Sequence, residues 1–522
     1  MRKNVKSGGT EVMGMLKSIG LENYKCFKKE TNIDIAPLTI LCGINSSGKS
    51  SILKSLLMLK QSYENTLSFN ELTFNGKYVD NGCFKDVVYM NNGNFFKISN
   101  SFEITRPPRK KDKGISESDA TTFNELLKIF KIFEQKTKSR IDLIKITISI
   151  DVRGLADTDS VATMLKNTIE EYLINIELFK TQNDNLSKIN ENDITISLKK
   201  VHEANGSFFG RIYDVDIHNI PYDANEGTFL FENIIPSCSC YFEGVKLVKL
   251  YKKNPNIDNI SMILPNLYAI FRIISYQYKN IKHISPLRNM PNRRYIFEEN
   301  VNFTGIGGEH TAQALYYYNK KLIMFTVPPE NDILMPNNRK LDTLMTATKE
   351  WANYFGIGEV NIEPFQEMLK LNISHDNIVD VGFGISQGLP VIISGLLLNK
   401  HETLLLEQPE IHLHPNMQMK MADFLISQAY NKKNIICETH SDHILNRIIR
   451  RVMEDKTGKL QQLVKIYFVQ GKNIDNPIYK DISIHPVDGL INAPEEFFTQ
   501  FGSETIRIAQ IGMANMREGV KW

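Results

Sequence analysis

LCGINSSGKSSILKSLL, residues 41–57, is the most informative stretch of this chain. Residues 43–50 match the pattern G-x-x-x-x-G-K-S without a mismatch. In such a loop, glycines let successive backbone N–H groups point at phosphate oxygens, and the following helix offers its positive N-terminus to the same anion. An apolar run, residues 37–41, precedes the loop, and a stretch with an apolar face, residues 51–59, follows it. This strand, loop and helix context predicts a nucleoside-triphosphate site.

The residue types in the loop predict its ligands. Lys49 is expected to reach the β- and γ-phosphates of ATP, and the Ser50 hydroxyl is expected to bind Mg²⁺. The residues predicted to hold the nucleotide are Gly43, Asn45, Ser46, Ser47, Gly48, Lys49, Ser50 and Ser51.

The composition is that of an ordinary globular protein, with 42% hydrophobic and 23% charged residues among 522. The formal net charge of +3 gives no global case for nucleic-acid binding, although a local basic patch stays open. No apolar run approaches the roughly 20 residues of a membrane span, and the N-terminus lacks the apolar core of a signal peptide. We therefore expect a cytoplasmic protein with no membrane partner.

The six cysteines show no CxxC spacing and lie mostly in apolar segments, which predicts reduced, packed thiols. Cys238 and Cys240 are the nearest to a metal-binding pair. Two sulfurs without matching partners favour a buried strand over a metal site.

The order of patterns along the chain divides it into five parts. Strand-like alternation over residues 96–105 and 141–152 surrounds polar stretches that read as helices, residues 122–133 and 160–179. A basic, proline-broken run over residues 106–113 is favoured as a solvated loop over a nucleic-acid site. The predicted parts are a tail (1–14), an N-terminal ATPase half (15–97), an inserted α+β lobe (98–300), a C-terminal ATPase half (301–470) and an extension (471–522).

Two apolar stretches far downstream end in polar residues. TLLLEQPEIHLHP, residues 403–415, is expected to form a strand beside the phosphate-loop strand, with Glu407 reaching the magnesium through a water. NIICETHS, residues 434–441, repeats the arrangement with His440 at the strand tip. Ligands gather at the carboxyl ends of strands in open α/β sheets, so all three strand ends are expected at one pocket.

A fourth element, DVGFGISQGLP, residues 380–390, precedes an apolar helix expected over residues 391–398. With these four motifs the sequence resembles the ABC-type ATPases of the RecF, SMC and overcoming-lysogenization-defect group. It is more similar still to bacterial AAA family ATPases that carry a short C-terminal domain of unknown function. HISPLRNMPNRRY, residues 283–295, and PEEFF, residues 494–498, fit that subgroup. The resemblance leaves roughly residues 100–280 unassigned.

The resemblance implies an α/β fold, an ABC-type head with a split phosphate-loop domain and a mixed sheet. It also implies a homodimer, or a higher oligomer, that closes ATP between two heads. The glycine-rich segment of one copy, through Gly384, Ser386 and Gln387, would meet the γ-phosphate held by the other, aided by a helix starting after Gly388. Gly382 stands where the family usually has serine, which leaves Ser386 as a displaced candidate.

A second departure from the family concerns the catalytic base. Transporter-like members follow the magnesium carboxylate with a glutamate that polarises water, whereas this chain has Gln408, which cannot accept a proton. Glu410 could serve if the strand end curls after Pro409, and His440 resembles the histidine that senses the γ-phosphate. Slow or regulated hydrolysis is therefore expected. The glutamine-loop residue is not located, since Gln61 lies too close to the phosphate loop.

Relatives in this group commonly serve prokaryotic anti-phage defence, controlling a nuclease or toxic partner; the Septu ATPase PtuA, which works beside an HNH nuclease, is one such case. The roughly 80 residues after His440 are too few for a Toprim nuclease domain and show no DxD cluster, so the effector is expected on a separate polypeptide. One alternative is a RecF-like DNA clamp, with nucleic acid as partner, and another is a non-hydrolysing scaffold gated by nucleotide.

The clamp alternative depends on two groups of arginines, which could equally form salt bridges, the interpretation we favour. The groups are Arg288, Arg293 and Arg294, and Arg447, Arg450 and Arg451. His412 and His414 alternate on one face of an extended stretch, but metal binding by them is disfavoured.

Overall fold

A computed structural model gives the fold. It describes residues 14–45, 47–64, 71–91, 93–106, 127, 130–131, 133–134, 137–154, 167–182, 185–189, 193–200, 212–218, 228–230, 274, 277–298, 301, 303–470, 478–485 and 489–494. Ser46, Cys238, Cys240 and residues 107–113 of the basic run lie outside the described residues.

The described strands and helices follow in chain order. The strands are β1 (Met15–Glu22), β2 (Thr31–Asp34), β3 (Leu38–Gly43), β4 (Phe95–Thr105), β5 (Leu143–Gly154), β6 (Asn167–Gln182), β7 (Asn185–Lys188), β8 (Ile194–Lys200), β9 (Ile212–His218), β10 (Thr228–Leu230), β11 (Ile281–Ile284), β12 (Tyr295–Ile296), β13 (Leu322–Thr326), β14 (Arg339–Thr343), β15 (Val360–Phe365), β16 (Met368–Ile373), β17 (Asp376–Asn377), β18 (Thr403–Glu407), β19 (Asn434–Glu438), β20 (Val464–Gln470), β21 (Ile478–Asp481), β22 (Ser483–His485) and β23 (Gly489–Ile491). The helices are α1 (Lys49–Glu64), α2 (Phe84–Val87), α3 (Thr311–Tyr318), α4 (Leu344–Phe355), α5 (Phe383–Leu397), α6 (Pro415–Tyr430), α7 (Asp442–Glu454) and α8 (Lys459–Leu463).

A mixed sheet in the order β11-β18-β19-β3-β20-β21 carries the phosphate loop. Its strands are parallel except β21, which pairs antiparallel with β20. The cores of β3, β18 and β19 are continuous apolar runs because helices and a second sheet cover both faces. Leu41, Leu405 and Ile436 pack on one face with α1, whereas Ile40 and Leu404 pack on the other. The predicted α/β fold with a mixed sheet is confirmed.

The order of strands corrects one expectation. β18 does not lie beside the phosphate-loop strand, because β19 stands between them and pairs Glu438 with Leu41 on one side and with Glu407 on the other. All five residues of β19 are buried, which suits the middle of a covered sheet. On its other side β18 pairs with β11, which belongs to the stretch predicted as the inserted lobe.

An antiparallel sheet in the order β10-β9-β8-β6-β5-β4-β1-β2 extends from the N-terminal segment. The strands predicted over residues 96–105 and 141–152 are confirmed as β4 and β5. The predicted boundary between residues 97 and 98 falls inside β4, which pairs with β1 and β5. The short extension strand β21 likewise joins the main sheet.

The helix predicted over residues 160–179 is wrong from residue 167 onward, where the chain forms β6. Ile174, Ile176 and Leu178 are buried on one face, and the less buried Asn175 and Glu177 alternate with them. This period of two, matched by long pairing with β5, outweighs the polar character that suggested a helix.

A buried charge cluster joins α6 and α7. Asp423 is fully buried and accepts hydrogen bonds from Arg447 (2.8 Å), Arg451 (2.7 Å) and the Tyr354 hydroxyl (2.6 Å). Nearby, the indole of Trp351 meets the ring of Phe424 edge-on, with centroids 5.0 Å apart. These contacts fix the two helices that follow β18 and β19.

Of the helices described, none combines the length and apolar character needed to cross a membrane.

Replacing Asp423 by Asn should destabilise the protein strongly, because the buried guanidinium groups of Arg447 and Arg451 would lose their one fully buried carboxylate and keep only partly exposed ones, Asp332 and Glu454. Removing one partner of a buried pair typically costs about 3–5 kcal/mol. Urea denaturation of the purified variant measures the loss. The control is Glu454→Gln, since Glu454 also binds Arg451 (2.9 Å) but is 43% exposed, and its loss should cost less than about 1 kcal/mol. Equal stability losses in both variants would contradict this account.

Candidate functional site

A cleft of about 540 Å³ opens at the carboxyl ends of β3 and β19. It brings together the phosphate loop, the residue after β18 and the tip of β19. Its lining includes Asn45, Gly48, Lys49, Ser50, Ser51, Gln408, Glu438 and His440, with Lys25, Cys26, Asp86, Val88, Met90 and Asn91 closing one side.

The phosphate loop is held in a conformation that needs glycine. Gly43 has φ +120°, and a Cβ there would lie 2.3 Å from the carbonyl oxygen of Val469 on the neighbouring strand. The Lys49 ammonium folds back onto the loop, donating to the carbonyls of Gly43 (2.9 Å) and Ile44 (2.6 Å). Burial lowers the pKa of Lys49. The loop therefore holds a partly desolvated cation, which would attract an anionic ligand.

Ser50 and Glu438 form the polar centre of the cleft. The Ser50 hydroxyl donates to Glu438 Oε1 at 3.0 Å. Glu438 Oε2 and the Ser47 hydroxyl are buried without a hydrogen-bond partner among the described residues. Burial raises the pKa of Glu438, and the carboxylates of Glu407 and Glu410 raise it further. Hydroxyl and carboxylate oxygens with unused acceptor capacity fit a hard divalent cation such as Mg²⁺.

Sequence reasoning missed Glu438. The signal was available, because Glu438 is a carboxylate that ends a buried strand, the feature that singled out Glu407. What the sequence lacked was the strand order, which places β19 and not β18 next to the phosphate loop.

Glu407 lies on the far side of Glu438 from Ser50. Its Oε1 is 2.8 Å from Nε2 of His283 on β11, and it is absent from the residues that line the cleft. The Arg288 guanidinium donates to the backbone carbonyls of Glu407 (3.2 Å) and Gln408 (3.1 Å). The structure thus brings Ser50 to Glu438 and Glu407 to His283.

The turn after β18 separates the two candidate bases. Gln408 lines the cleft with φ +44°, and its backbone N–H donates to the Glu438 carbonyl at 2.7 Å. The chain does curl after Pro409, but Glu410 turns inward and accepts the His440 backbone N–H at 2.7 Å. Burial raises the pKa of Glu410 and lowers that of Arg288 beside it to about 10. Glu410 is therefore placed to position His440.

His440 lines the cleft at the tip of β19. Burial lowers its pKa, and the nearby Lys49 ammonium lowers it further. A neutral imidazole at this position can donate one hydrogen bond and accept another.

The glycine-rich segment lies inside a helix. The helix expected after Gly388 begins earlier, as α5, at Phe383 with Gly382 as its N-cap. A Cβ on Gly384 would lie 2.5 Å from the His412 carbonyl, so only glycine lets the turn after β18 approach α5. Ser386 and Gln387 are buried; Ser386 donates to the Phe383 carbonyl (2.8 Å) and Gln387 to that of Asn289 (3.3 Å). None of the three lines the cleft of its own chain.

The remaining candidates have structural contacts. The ring of His412 meets Phe383 edge-on at 4.7 Å, and His414 Nδ1 accepts from the Asn416 N–H at the start of α6. Gln61 is buried in α1 and binds the backbone of Thr73 and Val79. Among the described parts of the chain, no group of three or more metal-ligating side chains comes together.

The arginines considered for DNA binding are engaged within the chain. Arg293 forms two hydrogen bonds with Asp380 (2.9 and 2.5 Å), and the guanidinium of Arg294 lies 5.0 Å from the ring centroid of Phe365. The salt-bridge interpretation is confirmed for Arg293 and for the α7 arginines, which are Arg447, Arg450 and Arg451.

Comparisons with known proteins give a family match. Residues 15–445 match the family model described as an AAA ATPase domain. No curated protein sequence matches the chain.

Solved structures with a similar chain path are heads of SMC proteins. One is an SMC head bound to the C-winged helix domain of ScpA (11% identity, TM-score 0.38, covering 90% of this chain and 98% of that chain). A second is the SMC head domain from Thermotoga maritima (9% identity, TM-score 0.32, covering 90% and 98%). A third is an SMC head with an extended coiled coil bound to the C-terminal domain of ScpA, derived from Pyrococcus furiosus (11% identity, TM-score 0.38, covering 95% and 99%). Likeness at this level carries no functional argument.

Gly384→Ala should push the turn after β18 away from α5, because the new methyl would overlap the His412 carbonyl. Overpacking of this kind costs about 1–3 kcal/mol. Gly388→Ala, in the same helix, is the matched control: its Cβ would make an ordinary 3.5 Å contact with Leu413, and alanine favours helix. Thermal and urea unfolding of both variants provide the measurement. A Gly384→Ala protein as stable as Gly388→Ala would show that the close approach is not required.

Proposed function

The chain belongs to the AAA ATPase domain family, and on that premise we propose that it binds ATP with Mg²⁺ in the cleft at the phosphate loop and hydrolyses it slowly. The observation that carries the proposal is the convergence of Lys49 and Ser50 with Glu438 and His440, from two separate chain segments, in one cleft.

Each of these residues has a task that its contacts support. Bound MgATP supplies a γ-phosphoryl group that can be transferred to water and a metal ion that neutralises its charge. Lys49 offers its ammonium to the phosphates in place of its own loop carbonyls. Ser50 and Glu438 offer oxygen ligands to the metal, and Glu407 adds negative charge from the next strand. His440, held by Glu410, offers a neutral ring to the γ-phosphate.

Slow turnover is expected from the placement of the two candidate bases, since Gln408 lines the cleft and Glu410 does not. Gln408 orients a water through its amide but accepts no proton. Glu410 is already committed to the His440 backbone and has only an inward-facing oxygen left. An ATP-bound form with a long lifetime suits a protein that works by switching state.

We assign this switch, by the resemblance of the four motifs, to a sensor and regulatory subunit of an anti-phage defence system with its effector on a separate polypeptide. Two copies, or a larger assembly, would close ATP between them. The surface that supports this is the start of α5, where Phe383 is 41% exposed beside Gly384 and the turn after β18.

Lys49→Ala should abolish measurable ATP binding, because it removes the ammonium that the loop presents to the phosphates. Calorimetric titration with MgATP is the measurement. Lys54→Ala, on the exposed side of the same helix, is the control and should bind ATP as the unchanged protein does.

Equal ATP affinity in the Lys49→Ala and unchanged proteins would refute the nucleotide site. The same two variants test the biological role in cells that express the chain with its neighbouring genes. Loss of phage protection with Lys49→Ala, but not with Lys54→Ala, is the expected result. If cells that express these genes are no better protected from phage than cells without them, the defence role is rejected and the ATPase proposal is unaffected.

Glu438→Gln and Glu407→Gln should separate the two carboxylates. Because Glu438 contacts Ser50 directly, its variant should lose magnesium-dependent ATP turnover by about 100-fold, within the range for loss of a metal-orienting group. Glu407→Gln should have a smaller effect, since it lies behind Glu438 and binds His283. Phosphate release at a series of magnesium concentrations is the measurement. A larger loss of turnover with Glu407→Gln than with Glu438→Gln would show that Glu407 binds the metal, as the sequence predicted.

A further inference from the structure

A second cleft, of about 580 Å³, lies against the edge strand β11 and the end of α1. Lys60, Lys77, Tyr78, Lys279, Lys282 and His283 are among the residues that line it. Lys60 follows Lys49 by eleven residues on α1, so about 16 Å of helix separates this cleft from the phosphate loop. The two clefts share no lining residue.

The second cleft is basic. Four lysines line it against two glutamates, Glu64 and Glu298, a net charge of two with the histidines neutral. Lys60 is paired with Glu64 at 2.8 Å, whereas Lys77, Lys279 and Lys282 form no ion pair with any residue that the structure describes. Burial lowers the pKa of Lys60, and the ammonium groups of Lys282 and Lys77 lower it further. Cations gathered in a concave wall favour an anion between them.

An aromatic ring stands among these charges. The ammonium groups of Lys60 and Lys77 lie 5.0 and 5.6 Å from the ring centroid of Tyr78, and the Tyr78 hydroxyl donates to Glu64 at 3.2 Å. The same carboxylate thus holds both Lys60 and Tyr78. The cleft therefore combines an ordered carboxylate and ring with three lysines that form no ion pair among the described residues.

His283 connects the second cleft to the strand end that faces the nucleotide cleft. It lines the second cleft with only 5% of its surface exposed, and its Nε2 contacts Glu407 Oε1 at 2.8 Å. Its Nδ1 is buried without a hydrogen-bond partner among the described residues. One ring therefore touches both the wall of this cleft and the last residue of β18.

We propose that the second cleft binds a small phosphorylated ligand of about nucleotide size, and that His283 conveys its presence to Glu407. The volume lies in the range of small-molecule sites, about 300–1,000 Å³. A single nucleic-acid-binding module instead buries about 600–1,000 Å² of protein surface, more than this concave site presents. The binding itself does not depend on the proposed ATPase activity.

The test uses pyrophosphate as the probe and the full-length Lys49→Ala protein, in which the phosphate loop is disabled. Calorimetric titration should show binding, and adding Lys77→Glu with Lys282→Glu should weaken it by about tenfold or more. The matched control adds Lys320→Glu with Lys459→Glu, two exposed lysines outside both clefts, and should leave the affinity unchanged. Circular dichroism checks that each variant is folded.

The link through His283 has its own readout. In the Lys49→Ala background, Glu407→Gln should change pyrophosphate affinity, because coupling between sites is reciprocal. The effect of Glu407→Gln on pyrophosphate affinity should vanish when His283→Gln is also present, since the ring that joins Glu407 to the second cleft is then gone.

Three results would overturn the proposal. If the Lys49→Ala protein binds no pyrophosphate, the second cleft is not a phosphate site. Pyrophosphate binding that survives Lys77→Glu with Lys282→Glu lies elsewhere. The protein could instead bind a single-stranded oligonucleotide but no pyrophosphate. If Lys77→Glu with Lys282→Glu then abolished oligonucleotide binding, the cleft would be part of a nucleic-acid surface. None of these results alters the test of ATP binding, which uses the intact phosphate loop.

Discussion

The parallel pairing of β3, β19 and β18 is the constraint on which the rest of the molecule depends. Its register sets Leu41 opposite Glu438 and Glu438 opposite Glu407, so the three strands end at one level. Because side chains alternate along a strand, a slip by one residue would turn Glu438 away from Ser50. The apolar faces of the same strands fill two separate cores, which holds this register from both sides.

Buried charges fasten the turn that follows β18. Arg288 holds the carbonyls of Glu407 and Gln408, while Glu410 holds the backbone of His440. Burying an arginine and a carboxylate is costly unless they are near each other and hydrogen-bonded. Here the two lie close enough for the charge of Glu410 to raise the pKa of Arg288, which burial lowers overall. The turn is thereby fixed to both β11 and the tip of β19.

The edge strand β11 gives the site a neighbour outside the cleft at the phosphate loop. It supplies His283 to Glu407, and the segment after it supplies Arg288 to the turn. Both residues precede residue 301, where the C-terminal ATPase half was predicted to begin, yet they contact the end of β18. A change in that part of the chain would therefore reach the strand ends through two specific contacts.

The local elements could be read from the sequence. The glycine spacing and the flanking apolar runs predicted the phosphate loop, with its strand and helix, and buried runs predicted β18 and β19, because these patterns depend on residues close in the chain. The tertiary structure decided which strands are neighbours, and so placed Glu438 beside Ser50 and Glu407 beside His283. It also made residues 167–179 a strand through pairing with β5 and started α5 at Phe383. Pairing and burial join residues that are far apart in the chain, and local spacing carries no record of which distant partner is chosen.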